Sequence, residues 1–213
     1  MALTSTQRTT LLVAGLALAV PLTYFLKRRL FDSRRMFIRQ MVDPQVGRPI
    51  ADTITAQTRT EGDFILAAWK MVGEAIAYED VGSILLFKQD TVRCELCLLP
   101  GETLRRGRGN CVAKALLLAS ILRNRFGPEE VFVAIGQLHE IGQGGHAWVV
   151  VRLNGRWELL ETTTPPTTWR FASALEQHYE TTILFNDQLI MCDDPELCMR
   201  VQESSCLPCM LAG

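Results

Sequence analysis

The sequence predicts a mixed fold, with helices first and antiparallel strands after. Three observations predict it. Residues 111–125 form an apolar helical stretch with a signal at each end: Asn110 is a good N-cap, Gly127 a good stop, and Pro128 forbids continuation. Residues 146–153 and 156–162 read as two strands joined by Asn154-Gly155, a strong two-residue hairpin signal. Residues 131–137 read as one more strand, rich in valine and isoleucine.

The remaining elements follow in chain order. Residues 9–26 carry no charge and, as a helix, span about 27 Å, slightly short of a hydrocarbon core of about 30 Å. They read as a membrane anchor over 1–30, with Lys27, Arg28 and Arg29 as its basic flank; a cleaved signal peptide is the competing reading. Arg8 stands alone before the run, while Lys27, Arg28, Arg29, Arg34, Arg35 and Arg39 follow it. That asymmetry orients the C-terminal part to the cytoplasm, where thiols stay reduced. Residues 31–62 read as a tether, because Pro44, Gly47 and Pro49 interrupt any long helix. In 63–77, Phe64, Ile65, Ala68, Trp69, Val72, Ala75 and Ile76 recur at helical spacing. Residues 83–88 fit either a short strand or a helical turn, and Pro100 opens a turn or a helix. In 111–125 the buried side is Val112, Ala115, Leu116, Leu118, Ala119 and Leu122. Residues 138–145 form a glycine-rich loop. The extension 170–213 holds a short helix near 172–179, a strand near 182–184 and a cysteine-bearing tail. The core is therefore expected over 63–169.

The composition is that of a globular chain, with a net charge of −1 in 213 residues. No basic excess asks for nucleic acid as a partner.

Chemistry is concentrated in three places. Cys111 falls in the first turn of its helix, where unpaired N–H groups and the positive end of the dipole favour a thiolate. The same amides can donate to an oxyanion on an attacked carbonyl. If Asn154-Gly155 is a two-residue loop, Leu153 faces Arg156 and, counting back, Trp148 faces Glu161. His146 and Glu161 then share a face as diagonal neighbours, with Cα atoms about 7–8 Å apart. A thiol, an imidazole and an orienting carboxylate make a nucleophile with its base.

Gly109-Asn110-Cys111 with its Ala/Leu-rich helix, His146-Ala147-Trp148-Val149, and Trp157 through Glu161-Thr162 resemble the transglutaminase-like superfamily. Leu99 to Leu104 looks like that family's lead-in. The resemblance covers about residues 63–165. It implies an α+β fold of the papain/transglutaminase-like type, in which a helix presenting cysteine packs on an antiparallel sheet carrying histidine and the acid. It implies Cys111 as nucleophile, His146 as general base and acid, Glu161 as orienting carboxylate, and a thioester acyl-enzyme. It departs from the family in two places: Glu161 stands where Asp is usual, adding reach and rotamer freedom, and Asn110 stands where Asp is frequent. No side-chain oxyanion donor is assigned; Trp69 and Gln89 lie upstream outside any recognisable motif.

Seven cysteines is an odd number, so at least one is unpaired in a monomer. Cys94, Cys97, Cys206 and Cys209 form two Cys-x-x-Cys pairs that together offer a tetrahedral thiolate set for structural zinc; disulfides or free thiols are the alternatives, and Cys192 and Cys198 are equally open. His139 and His178 read as surface residues, and the run Arg105-Arg106-Gly107-Arg108 as a solvated face or a site for an acidic substrate group. The function expected is a membrane-anchored cysteine hydrolase acting on a peptide or protein substrate, with no cofactor required for catalysis. A cross-linking acyltransferase and a catalytically idle, zinc-stabilised binding domain are the alternatives.

Overall fold

A computed structural model describes residues 41–79, 86–88, 91–93, 98–139, 144–163 and 179–192. Helices gather in the first half and a five-stranded antiparallel sheet in the second. The anchor expected over 1–30 lies outside the described residues; among those described, no helix is long and apolar enough to cross a membrane.

Of the tether expected over 31–62, the described part, 41–62, is mostly helix. Helix α1 runs Pro44–Gln57. Asp43 caps it by accepting from the N–H groups of Gln45 and Val46. Pro44 sits in the first turn, where no N–H is needed. Pro49 does lie inside the helix, and its missing hydrogen bond is offset by burial of Ala51 and Ile54. Gly47 is a packing residue instead of a breaker: a Cβ there would run into the Ser120 carbonyl. Tertiary contact thus overrides a pattern that reads locally as loop.

Helix α2, Glu61–Ala75, opens with a capping box in which Thr60 and Asp63 bond reciprocally to each other's N–H. It buries Phe64, Ile65, Ala68, Trp69 and Val72. The short strand β1, Ala77–Tyr78, follows. Strands β2, Leu86–Lys88, and β3, Thr91–Arg93, pair as a small antiparallel ribbon. Helix α3, Pro100–Arg106, ends at Gly107 in the left-handed conformation. It leads into β4, Arg108–Gly109, which pairs in parallel with β1.

Helix α4, Cys111–Leu122, is the centre of the molecule. All twelve of its residues are buried, including Lys114 and Ser120, so the one-sided pattern expected from the sequence becomes burial all round. Helices α1, α2 and α3 and the sheet all contact it. Leu116, Leu117 and Leu118 are fully enclosed, each contributing about 1.5–3 kcal/mol by burial.

The sheet has the order β7-β6-β5-β8-β9. Its strands are β5, Val131–Leu138; β6, Gly144–Leu153; β7, Arg156–Leu160; β8, Tyr179–Phe185; and β9, Ile190–Cys192. The β6–β7 register is the one the hairpin signal dictates, from Leu153↔Arg156 to Val149↔Leu160. Asn154 and Gly155 both have positive φ, 51° and 79°, as a type I′ turn requires. Val133, Ile135, Ala147, Val149, Val151, Leu160, Ile183 and Phe185 belong to the core cluster shared with the helices. The opposite face carries Ala134, Trp148 and Leu159, with Val150, Tyr179 and Leu184 packed against them.

One irregularity controls the site. Between β5 and β8 the register jumps: Ile135 faces Ile183, but Gly136 faces Thr181, leaving Thr182 as the extra residue of a bulge. Without that extra residue, Tyr179 would share a face with Ile183, toward the helices. With it, Tyr179 moves to the face that carries His146 and Trp148. Gly136 makes the bulge feasible, because a Cβ there would collide with the Glu180 carbonyl.

Candidate active site

Cys111 is the first residue of α4. The Asn110 side chain accepts from the Ala113 N–H at 3.0 Å and fixes the helix start. Upstream, the N–H groups of Ala77 and Glu79 donate to the carbonyls of Gly107 (2.9 Å) and Gly109 (3.2 Å). The loop leading to the sulfur is therefore stitched to the end of α2.

His146, near the start of β6, meets two groups. Its Nε2 lies 2.7 Å from Glu161 Oε2, and the Cys111 side chain is the ring's other polar neighbour. The ring stacks beside Trp148 at 6.1 Å and 24°. The side chain is 14% exposed and that of Glu161 8%, so the ion pair is largely shielded from water.

Glu161 follows the end of β7 and its carboxylate is fully engaged. Oε2 accepts from His146 and from the Tyr179 hydroxyl at 3.0 Å. Oε1 accepts from the Thr163 N–H at 2.7 Å and the Thr163 hydroxyl at 2.6 Å. Trp69 Nε1 donates to the Glu161 backbone carbonyl. The extra methylene of glutamate thus comes with a cradle of four donors that removes its rotamer freedom.

The electrostatics are those of a coupled acid–base pair. Burial works against a charged imidazole, but hydrogen bonds to Cys111 and Glu161 and their negative charge outweigh it, pushing His146 up to about 10. Burial likewise raises Glu161, yet its bonds to His146 and Thr163 and the imidazolium charge hold the carboxyl below the usual range. Tyr179 is pushed above the ordinary phenol range by burial and by the carboxylate's charge, so it stays a donor. A sulfur, an imidazole and a carboxylate grouped in this way are the parts from which a nucleophile and its base can be built.

Other sequence expectations fall elsewhere. Trp157 is 46% exposed and packs on Phe132 on the outer face, 5.9 Å between rings, away from the triad. Arg105 and Arg106 share Glu102, each at 2.7 Å, and Arg108 pairs with Glu79 at 3.3 Å, so each arginine of this solvated run already has a carboxylate partner. His139 pairs with Glu180 at the surface. The zinc ligands proposed at Cys94, Cys97, Cys206 and Cys209 lie outside the described residues, as do Gln89, His178, Cys198 and most of the helix expected near 172–179. Among the described residues no cluster of three metal-ligating side chains occurs. Cys192, at the end of β9, is disulfide-bonded. Two participants were missed in the sequence: Tyr179, hidden by the bulge, and Thr163, whose N–H and hydroxyl reach back to the carboxylate two residues earlier.

No family model matches the sequence, and no curated protein matches it. Solved structures are similar to it. One is Legionella pneumophila LapG, at 12% identity and TM-score 0.46, covering 76% of this chain and 97% of that one. Another, named "Putative Cysteine Protease from Cytophaga hutchinsonii", has 13% identity and TM-score 0.44, covering 58% of this chain and 39% of the other. A structure named a TGase has 19% identity and TM-score 0.40, covering 64% of this chain and 36% of the other. The chain therefore spans well under half of the latter two.

Proposed function

We propose that this chain is a cysteine hydrolase of the transglutaminase-like type, cleaving a peptide or amide bond through Cys111, His146 and Glu161. The observation that carries the reading is His146 held between the Cys111 side chain and the Glu161 carboxylate, 2.7 Å from the latter. In this reading the sulfur, as thiolate, attacks the carbonyl carbon. In this reading the N–H groups of Cys111 and Val112, in the first turn of α4, donate to the resulting oxyanion. The imidazolium gives its proton to the departing amine, leaving a thioester. Neutral His146 then takes a proton from water, whose oxygen attacks the thioester and releases the acid. Glu161 keeps Nε2 protonated and the ring in line throughout.

The apolar run over 9–26 supports a membrane anchor. Its basic flank favours a cytoplasmic catalytic part, whereas the disulfide at Cys192 favours an oxidising compartment.

The test is a thiol-reactive peptide-amide probe. Wild type should be labelled at Cys111, Cys111→Ala should not, and His146→Ala should label about 10²–10⁴ times more slowly. Wild-type labelling no faster than that of a free thiol would overturn the assignment.

A further inference from the structure

The Glu161 main chain stands at an open edge. Strand β7 is the outermost of the sheet, so β6 alone flanks it there. In a two-residue hairpin Leu153 and Arg156 form a hydrogen-bonded pair, and such pairs alternate along the ladder with pairs that exchange no bond. Val151↔Glu158 and Val149↔Leu160 are therefore bonded pairs. Glu161 comes next, at a position whose carbonyl points away from β6. The residue is buried, so that carbonyl needs a donor from elsewhere. Trp69 Nε1 supplies it from α2, 92 residues away in the chain. The Thr163 donors close on the carboxylate of the same turn and move with it. Among the described residues, the Thr162 hydroxyl is buried without a hydrogen-bond partner, so it adds no second tie.

The C-terminal end of the same helix holds the nucleophile. Just past it, Ala77 and Tyr78 pair with Arg108 and Gly109 in the lead-in to Cys111. Lys114, one turn along from Cys111, donates from Nζ to the carbonyl of Ile76, the cap residue of α2, at 2.8 Å. One helix thus fixes both outer members of the triad, with His146 between them. We propose that Trp69 is a positioning residue for this site: its indole N–H clamps the Glu161 main chain to α2, the helix that also anchors the Cys111 loop, and so sets the gap that His146 bridges. The proposal rests on the hydrolase reading above and deepens it. Tyr179 and Thr163 orient the carboxylate oxygens. The Trp69 bond places the main chain from which that carboxylate starts. Packing in α2, beside Phe64, Ile65, Ala68 and Val72 on its buried side, would be served by any large apolar side chain. The N–H is what tryptophan adds, a donor that seeks an acceptor when buried.

The experiment is a double-mutant cycle on the full chain, read as the rate of iodoacetamide alkylation at the peptide containing Cys111, at neutral pH. Trp69→Phe keeps a ring in the core and removes the N–H. It should slow alkylation by about tenfold, within the roughly hundredfold that a misplacement of about 1 Å can cost. Glu161→Gln should slow it by as much or more. In the Glu161→Gln background, Trp69→Phe should add less than about twofold, because the indole acts through that carboxylate. Trp69→Met, flexible enough to refill the space, serves if the phenylalanine variant fails to fold. Val72→Ala, on the same buried side of α2, should lower the melting temperature and leave the rate within about twofold of wild type. Equal slowing by Trp69→Phe in both backgrounds, or an unchanged rate in both Trp69 variants, overturns the role of Trp69. A wild-type rate no faster than that of a free thiol, with no effect of Glu161→Gln, overturns the hydrolase reading instead.

Discussion

The β6–β7 hairpin and the bulged β5–β8 pairing both deliver groups to Glu161, by different physics. In the hairpin, a two-residue turn sets the register, and alternation carries it without a break back toward His146. In the β5–β8 pair the partners are far apart in sequence, and the register breaks at Gly136. The break turns Tyr179 from the helix face to the site. Local turn chemistry thus places the histidine, while a long-range steric allowance places the tyrosine that finishes the carboxylate's cradle.

Breaking the bulge should give the largest effect. Gly136→Ala puts a methyl group into the Glu180 carbonyl. Either β8 separates from β5 or the extra residue is expelled and Tyr179 turns away. Denaturant unfolding should show a loss of about 3 kcal/mol or more, at the upper end of overpacking costs, and probe labelling of Cys111 should fall with it. Retained stability with wild-type labelling would mean that the bulge is not the native register.

Removing the tyrosine's hydroxyl alone is a finer cut. Tyr179→Phe takes one donor from Glu161 Oε2 and leaves the ring, which meets Trp148 edge-on at 4.9 Å. A hydrogen bond to a charged group contributes about 1.5–3 kcal/mol, so labelling should slow by about tenfold or more. The pH dependence has a definite sign. Glu161 is depressed in the folded state, so its contribution to stability is present above the unfolded carboxyl value of about 4.3 and lost as pH falls. His146 is raised to about 10, so its contribution is full below the unfolded value of about 6.5 and lost as pH rises toward 10. Wild type therefore draws most from the pair between those two unfolded values. Tyr179→Phe should shift the acid edge upward, and thermal melts from pH 3 to 8 measure it. An acid edge that does not move would show that the hydroxyl bond is not made in solution.

The contrast also explains what could be read from the sequence. Helix α4 was legible from its start, because Asn110 caps an apolar run, although it ends at Leu122 with Arg123 as its cap, short of Gly127 and Pro128; the hairpin was legible because Asn154-Gly155 admits few registers. The geometry linking His146 to Glu161 followed from counting alone. Helix α1 was illegible, since Pro44, Gly47 and Pro49 read locally as loop and become helical only through packing on Ser120 and its neighbours. Tyr179 was illegible for a stronger reason. Its face depends on a bulge whose cause, Gly136, sits in another strand more than forty residues away. Lys114 shows the same limit: periodicity says nothing about carbonyls waiting at the end of a different helix.

The sharpest form of the comparison sets one glycine against another. Gly155 is required by its φ of 79°, and a Cβ there would meet nothing within 4 Å. Gly136 is required by what surrounds it. Gly155→Ala should therefore cost only the local backbone penalty, about 1–2 kcal/mol. The turn can relax outward into solvent, and the pairs from Leu153↔Arg156 to Val149↔Leu160 hold the register behind it. Cys111 labelling should stay within about twofold of wild type while the melting temperature drops modestly. If Gly155→Ala instead disables labelling as Gly136→Ala does, the hairpin register is held by the turn alone, and the strand pairs behind it contribute little to placing His146.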